Sequence, residues 1–142
     1  MRKRRLGKRG SAMVEFSLCS TLLILLFMGG TDMARVFGLA TSLTQAAKAG
    51  AQFASYSSGN AGNAAGITAA AEAAAPGIGM TVTTSRVCYC GATAITCGAT
   101  SCESEPSMYT QVKTVGRYDA MLPYWGSAAA IPVSGTARIR VK

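Results

Sequence analysis

Hydrophobic and polar positions change their period along this chain, and each change predicts a different element. From Phe16 to Thr31 there are 16 residues without a charge, and counting back through Glu15 to Ser11 gives 21. At about 1.5 Å of rise per residue, the longer stretch makes a helix of roughly 31 Å, one bilayer core. Beyond Thr31 the apolar and small residues Val36, Leu39, Ala40, Leu43, Ala47, Gly50, Ala51 and Ala54 recur at three- and four-residue steps. That spacing is one stripe of a helix, with Asp32, Arg35, Lys48 and Gln52 as its polar punctuation. The two patterns join smoothly and predict a single helix from 11 to about 57. Gly29 and Gly30 lie inside it at a cost of about 1 kcal/mol each relative to Ala, and they mark an expected bend near the membrane surface. The small polar stretch "SYSSGNAGN" ends it.

"AAGITAAAEAAAPG" predicts a short helix stopped by Pro76 and Gly77. After Pro76 the period becomes two. "MTVTTSRVCYC" alternates and is rich in β-branched residues, which predicts a strand at about 80–90. A cysteine-rich loop follows. "MYTQVKTVGRYDA" reads as a second strand with Val112 and Val115 pointing inward, and "MLPYWGSAAAIP" as a turn with aromatic anchors. In the closing "VSGTARIRVK", Ala137, Ile139 and Val141 alternate with Arg138, Arg140 and Lys142, the pattern of a strand with one buried face. The expected fold class is α+β: a long N-terminal helix, transmembrane in its first half, packed by its second half on a small antiparallel sheet. Residues 1–10 form a basic leader, 11–31 the transmembrane half of the helix, 32–57 its extracytoplasmic half, and 58–142 a small disulfide-bearing domain. Ala46, Ala47, Gly50, Ala51 and Ala54 admit close approach of another helix or pack against the chain's own sheet, and the pattern leaves both open.

Charge sharpens this picture. Of the formal net charge of +8, Arg2, Lys3, Arg4, Arg5, Lys8 and Arg9 supply six positive charges, and the remainder carries eight basic against six acidic residues. Basicity is therefore a terminal tag. A Lys/Arg block can bind nucleic acid, but directly before an apolar run it holds the N-terminus in the cytoplasm, and no aromatic platform accompanies it. No nucleic-acid partner is expected. The chain has no histidine, which excludes imidazole acid–base and triad chemistry. Asp119, Glu103, Glu105 and the serines form no recognisable catalytic motif, so no enzymatic activity and no cofactor are expected.

Five cysteines are present. Cys19 lies in the apolar run as a small hydrophobe. Cys88, Cys90, Cys97 and Cys102 fall within 15 residues. Four thiolates suit zinc, but C-x-C and C-x₄-C are not the paired C-x₂-C knuckles, so no metal is expected. An extracytoplasmic location favours two disulfides. Cys88 and Cys90 share a strand face, so each is expected to bond elsewhere, and three pairings remain open.

Glu15 is the residue the apolar run does not explain, because a carboxylate in a bilayer is costly. A secretory signal would need a small-x-small site after the run, and Asp32 and Arg35 intrude there. Upstream, "KRGSAMVEF" places a basic leader before Gly10, Ser11 after it, and Glu15 and Phe16 at the fifth and sixth positions beyond Gly10. This resembles the prepilin signal of the Tad (Flp) pilus system. The wider stretch "RGSAMVEFSLCSTLLILLFMGGTDMARVF", followed by "SLTQAAKAGAQFAS", is similar to the TadE family, and the resemblance runs on into "VKTVGRYDAML" and the basic last strand. Ser17, Cys19, Ser20 and Thr21 depart from the family's bulky aliphatics.

The resemblance implies a TadE-like minor pilin or pseudopilin, a structural part of Tad pilus assembly or secretion machinery. A prepilin peptidase would cut between Gly10 and Ser11. Glu15 would then meet the new N-terminal amine of a neighbouring subunit, and Phe16 completes the motif. The implied partners are that peptidase, a major Flp-type pilin, other minor pilins, an inner-membrane assembly platform and membrane lipid. The implied location is the bacterial inner membrane, single-pass, with the N-terminus cytoplasmic and the C-terminal domain periplasmic, and an extracellular pilus after assembly. The alternative is an uncleaved, single-span anchored protein whose outer domain binds a ligand.

Overall fold

The structure is a computed structural model that describes residues 9–98, 102, 106–120 and 130–141. Leader residues Arg2, Lys3, Arg4, Arg5 and Lys8, the carboxylates Glu103 and Glu105, and the aromatic turn at 121–129 lie outside the described residues, as does Lys142.

Helix α1 spans Arg9–Ser55 as one rod of 47 residues, about 70 Å long. It is helical straight through Gly29 and Gly30. The polar stretch that follows is not simply a loop. Ser57 accepts from the Asn60 amide at 3.1 Å and starts a short helix α2, Ser58–Gly62. Asn63 accepts from the Gly66 amide at 2.9 Å and starts α3, Ala64–Ala74. Each side-chain oxygen satisfies one amide that has no partner within its helix. A turn over Ala75–Ile78 then redirects the chain, with Gly77 at φ 80° and the Ile78 amide donating to the Ala75 carbonyl at 3.4 Å. Proline before a positive-φ glycine is the chemistry such a turn requires.

Four strands follow: β1 Met80–Cys90, β2 Thr93–Ile95, β3 Ser107–Tyr118 and β4 Ile131–Arg140. They form one antiparallel sheet in the order β2-β1-β3-β4. The short β2, inside the expected cysteine loop, is the return arm of a hairpin whose turn uses Gly91 at φ 60°. Ile131 and Pro132, read from sequence as the end of a loop, open β4.

The register defines two faces. Val82, Thr114 and Gly135 align across the three long strands, as do Thr84, Val112 and Ala137. These positions face the helices. In β3 the buried residues are Thr110, Val112, Thr114 and Gly116. Val112 is therefore inward as expected, but Val115 is not. Residues three apart on a period-two strand lie on opposite faces, and Val115 pairs with Thr81 and Ser134 on the far side.

Helix α1 packs on β3 and β4 and also against α3, and it buries Leu43, Ala46, Ala47, Ala51 and Ala54. Ala47, Ala51 and Ala54 share a core with Ile67 and Val112, while Ala46 meets Ala71 and Ala75 of the α3 side. The small-residue stripe is thus consumed within the chain. The closest approach is at Gly135, where an added Cβ would come within 2.5 Å of the Thr44 nitrogen and 2.6 Å of the Leu43 carbonyl carbon. Leu43 covers Gly116, and the Thr114 hydroxyl donates to the Leu43 carbonyl at 2.8 Å. Backbone therefore rests on backbone, which fixes the rod's seat on the sheet.

Candidate membrane and assembly site

The first half of α1 lies outside this packing. Phe16 and Phe27 are each 75 % exposed, and Leu18, Leu22, Leu23, Ile24, Leu25 and Leu26 are exposed as well. A bare apolar surface of this extent marks a membrane or protein contact. Among the described residues α1 is long and apolar enough to cross a membrane.

The polar residues that dilute the run cost less than their identities imply. The Ser17 hydroxyl donates to the Val14 carbonyl at 3.0 Å, Ser20 to Ser17 at 3.0 Å, and Thr21 to Ser17 at 2.8 Å. Thr31 does the same to Met28 at 2.8 Å. Each hydroxyl turns back onto its own helix, the arrangement that lets Ser and Thr enter hydrocarbon with their hydrogen bonds made. Cys19 is exposed and takes no part in a disulfide.

Glu15 lies on the rod's exposed surface among Val14, Phe16 and Leu18. Gly10 and Ser11 are helical and occupy the first turn of α1. Axially, Glu15 stands about 6 Å above Ser11 and about 25 Å below Asp32 at the helical rise. The interval between the two carboxylates contains the uncharged run.

Asp32, one of the polar interruptions of the helical stripe, closes that interval. It is 3 % exposed and accepts a hydrogen bond from the Tyr118 phenol at 2.8 Å. Partial burial raises the Tyr118 pKa above its ordinary value, as does the adjacent Asp32, while Arg35 pulls the other way. The rod is therefore clamped to the end of β3 where the uncharged run stops. The available signal was weak: one acid directly after the run, and a tyrosine at a strand end 86 residues away.

At the opposite end of the sheet the cysteines are paired, Cys88 with Cys97 and Cys90 with Cys102, with Cα separations of 5.1 and 5.7 Å. The pairs close loops of 9 and 12 residues. Each stabilises by about 2.5–3 kcal/mol in the chain-entropy account, which matters where the largest fully buried side chains are Leu43, Ile67 and Val112. Asp119 is exposed beyond β3, and no cluster of three metal-ligating side chains occurs among the described residues.

No curated protein and no solved structure matches the chain. The family model described as TadE-like protein matches residues 10–52. The strands, where the sequence resemblance was expected to continue, lie outside that match. It runs from the second residue of α1 to within one turn of its end, so the likeness to TadE-like proteins is confined to this rod.

Proposed function

We propose that this chain is a TadE-like minor pilin or pseudopilin, a structural and non-catalytic component of a Tad-type pilus or secretion apparatus. The observation that carries the reading is the division of one continuous helix. Its outer half is seated on a disulfide-tied sheet, its inner half is bare and apolar, and Glu15 is the fifth residue beyond the Gly10–Ser11 bond. The leader holds the N-terminus in the cytoplasm, and a prepilin peptidase cuts after Gly10. The protein waits in the inner membrane with its sheet in the periplasm.

Assembly then replaces lipid around the bare half with neighbouring pilin helices. The Ser11 amine created by cleavage carries a cation, and Glu15 of an adjacent subunit neutralises it. Desolvation offsets much of the Coulomb gain, so the pair acts mainly on axial register. The assembly platform and a major Flp-type pilin are the partners this requires.

The test is the N-terminal residue and intact mass of the membrane-bound protein. Ser11 as first residue is expected, and Gly10→Ala should leave a longer, unassembled form. An N-terminus at Met1 would overturn the processing step and leave an anchored binding protein.

A further inference from the structure

The side of the sheet turned away from the helices carries a feature to which the proposed assembly contacts, all on α1, assign no role. The register places Tyr89, Tyr109, Lys113, Arg117, Arg138 and Arg140 on this outer face. The outward positions of the four strands hold these four cations and no carboxylate. Lys113, Arg117, Arg138 and Arg140 are all exposed. Cationic side chains are normally interspersed with acids on a soluble surface, so a single-sign face is a candidate for an anionic partner.

Arg138 is held in a defined place on it. Its guanidinium carbon stands 4.6 Å from the Tyr89 ring centroid and 4.5 Å from that of Tyr109. The two rings meet edge to face, 5.7 Å apart at 89°. Cation–π contact with two rings limits the motion of a long side chain without using its N–H donors. Those donors are then presented in a fixed fork, the arrangement that takes a carboxylate with two hydrogen bonds. Arg140 follows two residues along the same strand, about 7 Å away, and Lys113 lies diagonally across, about 8 Å away.

We infer that this face binds an acidic polysaccharide through its carboxylates. Three observations select that occupant. The rings of Tyr89 and Tyr109 are engaged by Arg138, so they are not open platforms for stacking bases of single-stranded nucleic acid. The Asp32–Tyr118 clamp puts the far end of β3 beside the membrane-spanning half, so the Tyr–Arg cluster sits at the membrane-distal end with the disulfides. The cations are surrounded by the exposed hydroxyl residues Thr83, Ser85 and Thr136, which donate to and accept from sugar hydroxyls. An open sheet face suits an extended polymer. The inference rests on the sheet and on its placement away from the membrane-spanning half of α1, and it does not require processing at Gly10.

The experiment uses the full chain in nanodiscs of zwitterionic lipid, flowed over immobilised polygalacturonate with neutral dextran as reference. Wild type should bind polygalacturonate in a salt-sensitive way and ignore dextran. Arg138→Gln combined with Arg140→Gln should weaken binding about tenfold, the low end for loss of charge-assisted hydrogen bonds. Lys113→Gln, an exposed side chain away from the ring cluster, should weaken it by a smaller factor and guards against misfolding of the double variant. Arg86→Gln removes a cation from the helix-side face and should leave binding unchanged, with any leader cations constant throughout. Absence of polygalacturonate binding, or equal loss in Arg86→Gln, would overturn the inference. Equally tight, equally variant-sensitive binding of polyglutamate or single-stranded DNA would overturn the polysaccharide assignment.

Discussion

Gly135 offers the most direct test of how the rod is held. A methyl group there would lie 2.5 Å from the Thr44 nitrogen, 2.6 Å from the Leu43 carbonyl carbon and 2.7 Å from its oxygen, whereas ordinary contact begins at 3.4 Å. The obstacles are backbone atoms of a helix, so no side-chain rotation relieves them. For Gly135→Ala, α1 must retreat by about 1 Å at this point, a gap that forfeits a large part of the local dispersion contact. Overpacking of a tight core costs about 1–3 kcal/mol. The Thr114 bond to the Leu43 carbonyl, 2.8 Å in the native seat, lengthens beyond useful range and adds about 1 kcal/mol. The sum is about 2–4 kcal/mol, a large share of the stability of a domain this size. In a thermal melt of the detergent-solubilised protein this should appear as a fall of about 10–25 °C in Tm. Gly79→Ala, whose Cβ meets nothing within 4 Å, is the matched control and should change little. A Gly135→Ala melt within 2 °C of wild type, about 0.5 kcal/mol or less, would refute the backbone-on-backbone seat.

Gly38→Ala should stabilise α1 by about 1 kcal/mol, because its Cβ also enters open space on a helix; a loss of stability in the same melt would show a contact at that position. Mass mapping without reductant, after chymotryptic cleavage at Tyr89 and elastase cleavage between Cys97 and Cys102, should link Cys88 to Cys97 and Cys90 to Cys102, and a crossed pairing would contradict the hairpin geometry. Glu15→Leu should leave membrane insertion intact and abolish incorporation into pili, scored by shearing and immunoblot; unaltered incorporation would reduce Glu15 to an interfacial residue. The Tyr118 pKa is raised on folding, so the phenol contributes fully below its ordinary value near 10 and loses its contribution as pH rises through the folded value. The stability gap between wild type and Tyr118→Phe should therefore close in alkaline unfolding experiments, and a gap that persists above that range would exclude the Asp32–Tyr118 clamp as its source.

The length of the uncharged run and the three- and four-residue spacing after it determined the rod, because both are local properties of a helix. The β-branched alternation after Pro76 likewise determined the three long strands to within about two residues, but not the short β2, which lay inside the expected cysteine loop. Periodicity also assigned Arg138 and Arg140 to the outside of β4. What it could not assign was anything that depends on which strand lies beside which. Val115 was read as inward because its composition suits a core, yet the β3 register puts Val112 on the helix face and so Val115 on the other. Four cysteines within 15 residues permit three pairings, and only the β1–β2 hairpin brings Cys88 beside Cys97. The small-residue stripe suited either another helix or the chain's own sheet, and it meets both within the chain: Ala46 packs against α3, and Ala47, Ala51 and Ala54 share a core with Ile67 of α3 and Val112 of β3. Asp32 and Tyr118, like Arg138 with Tyr89 and Tyr109, are separated by tens of residues, and such pairs exist only once the strands have been set side by side. Local sequence sets an element's period and polarity, whereas clamps, clusters and seats are contacts between elements and belong to the tertiary structure.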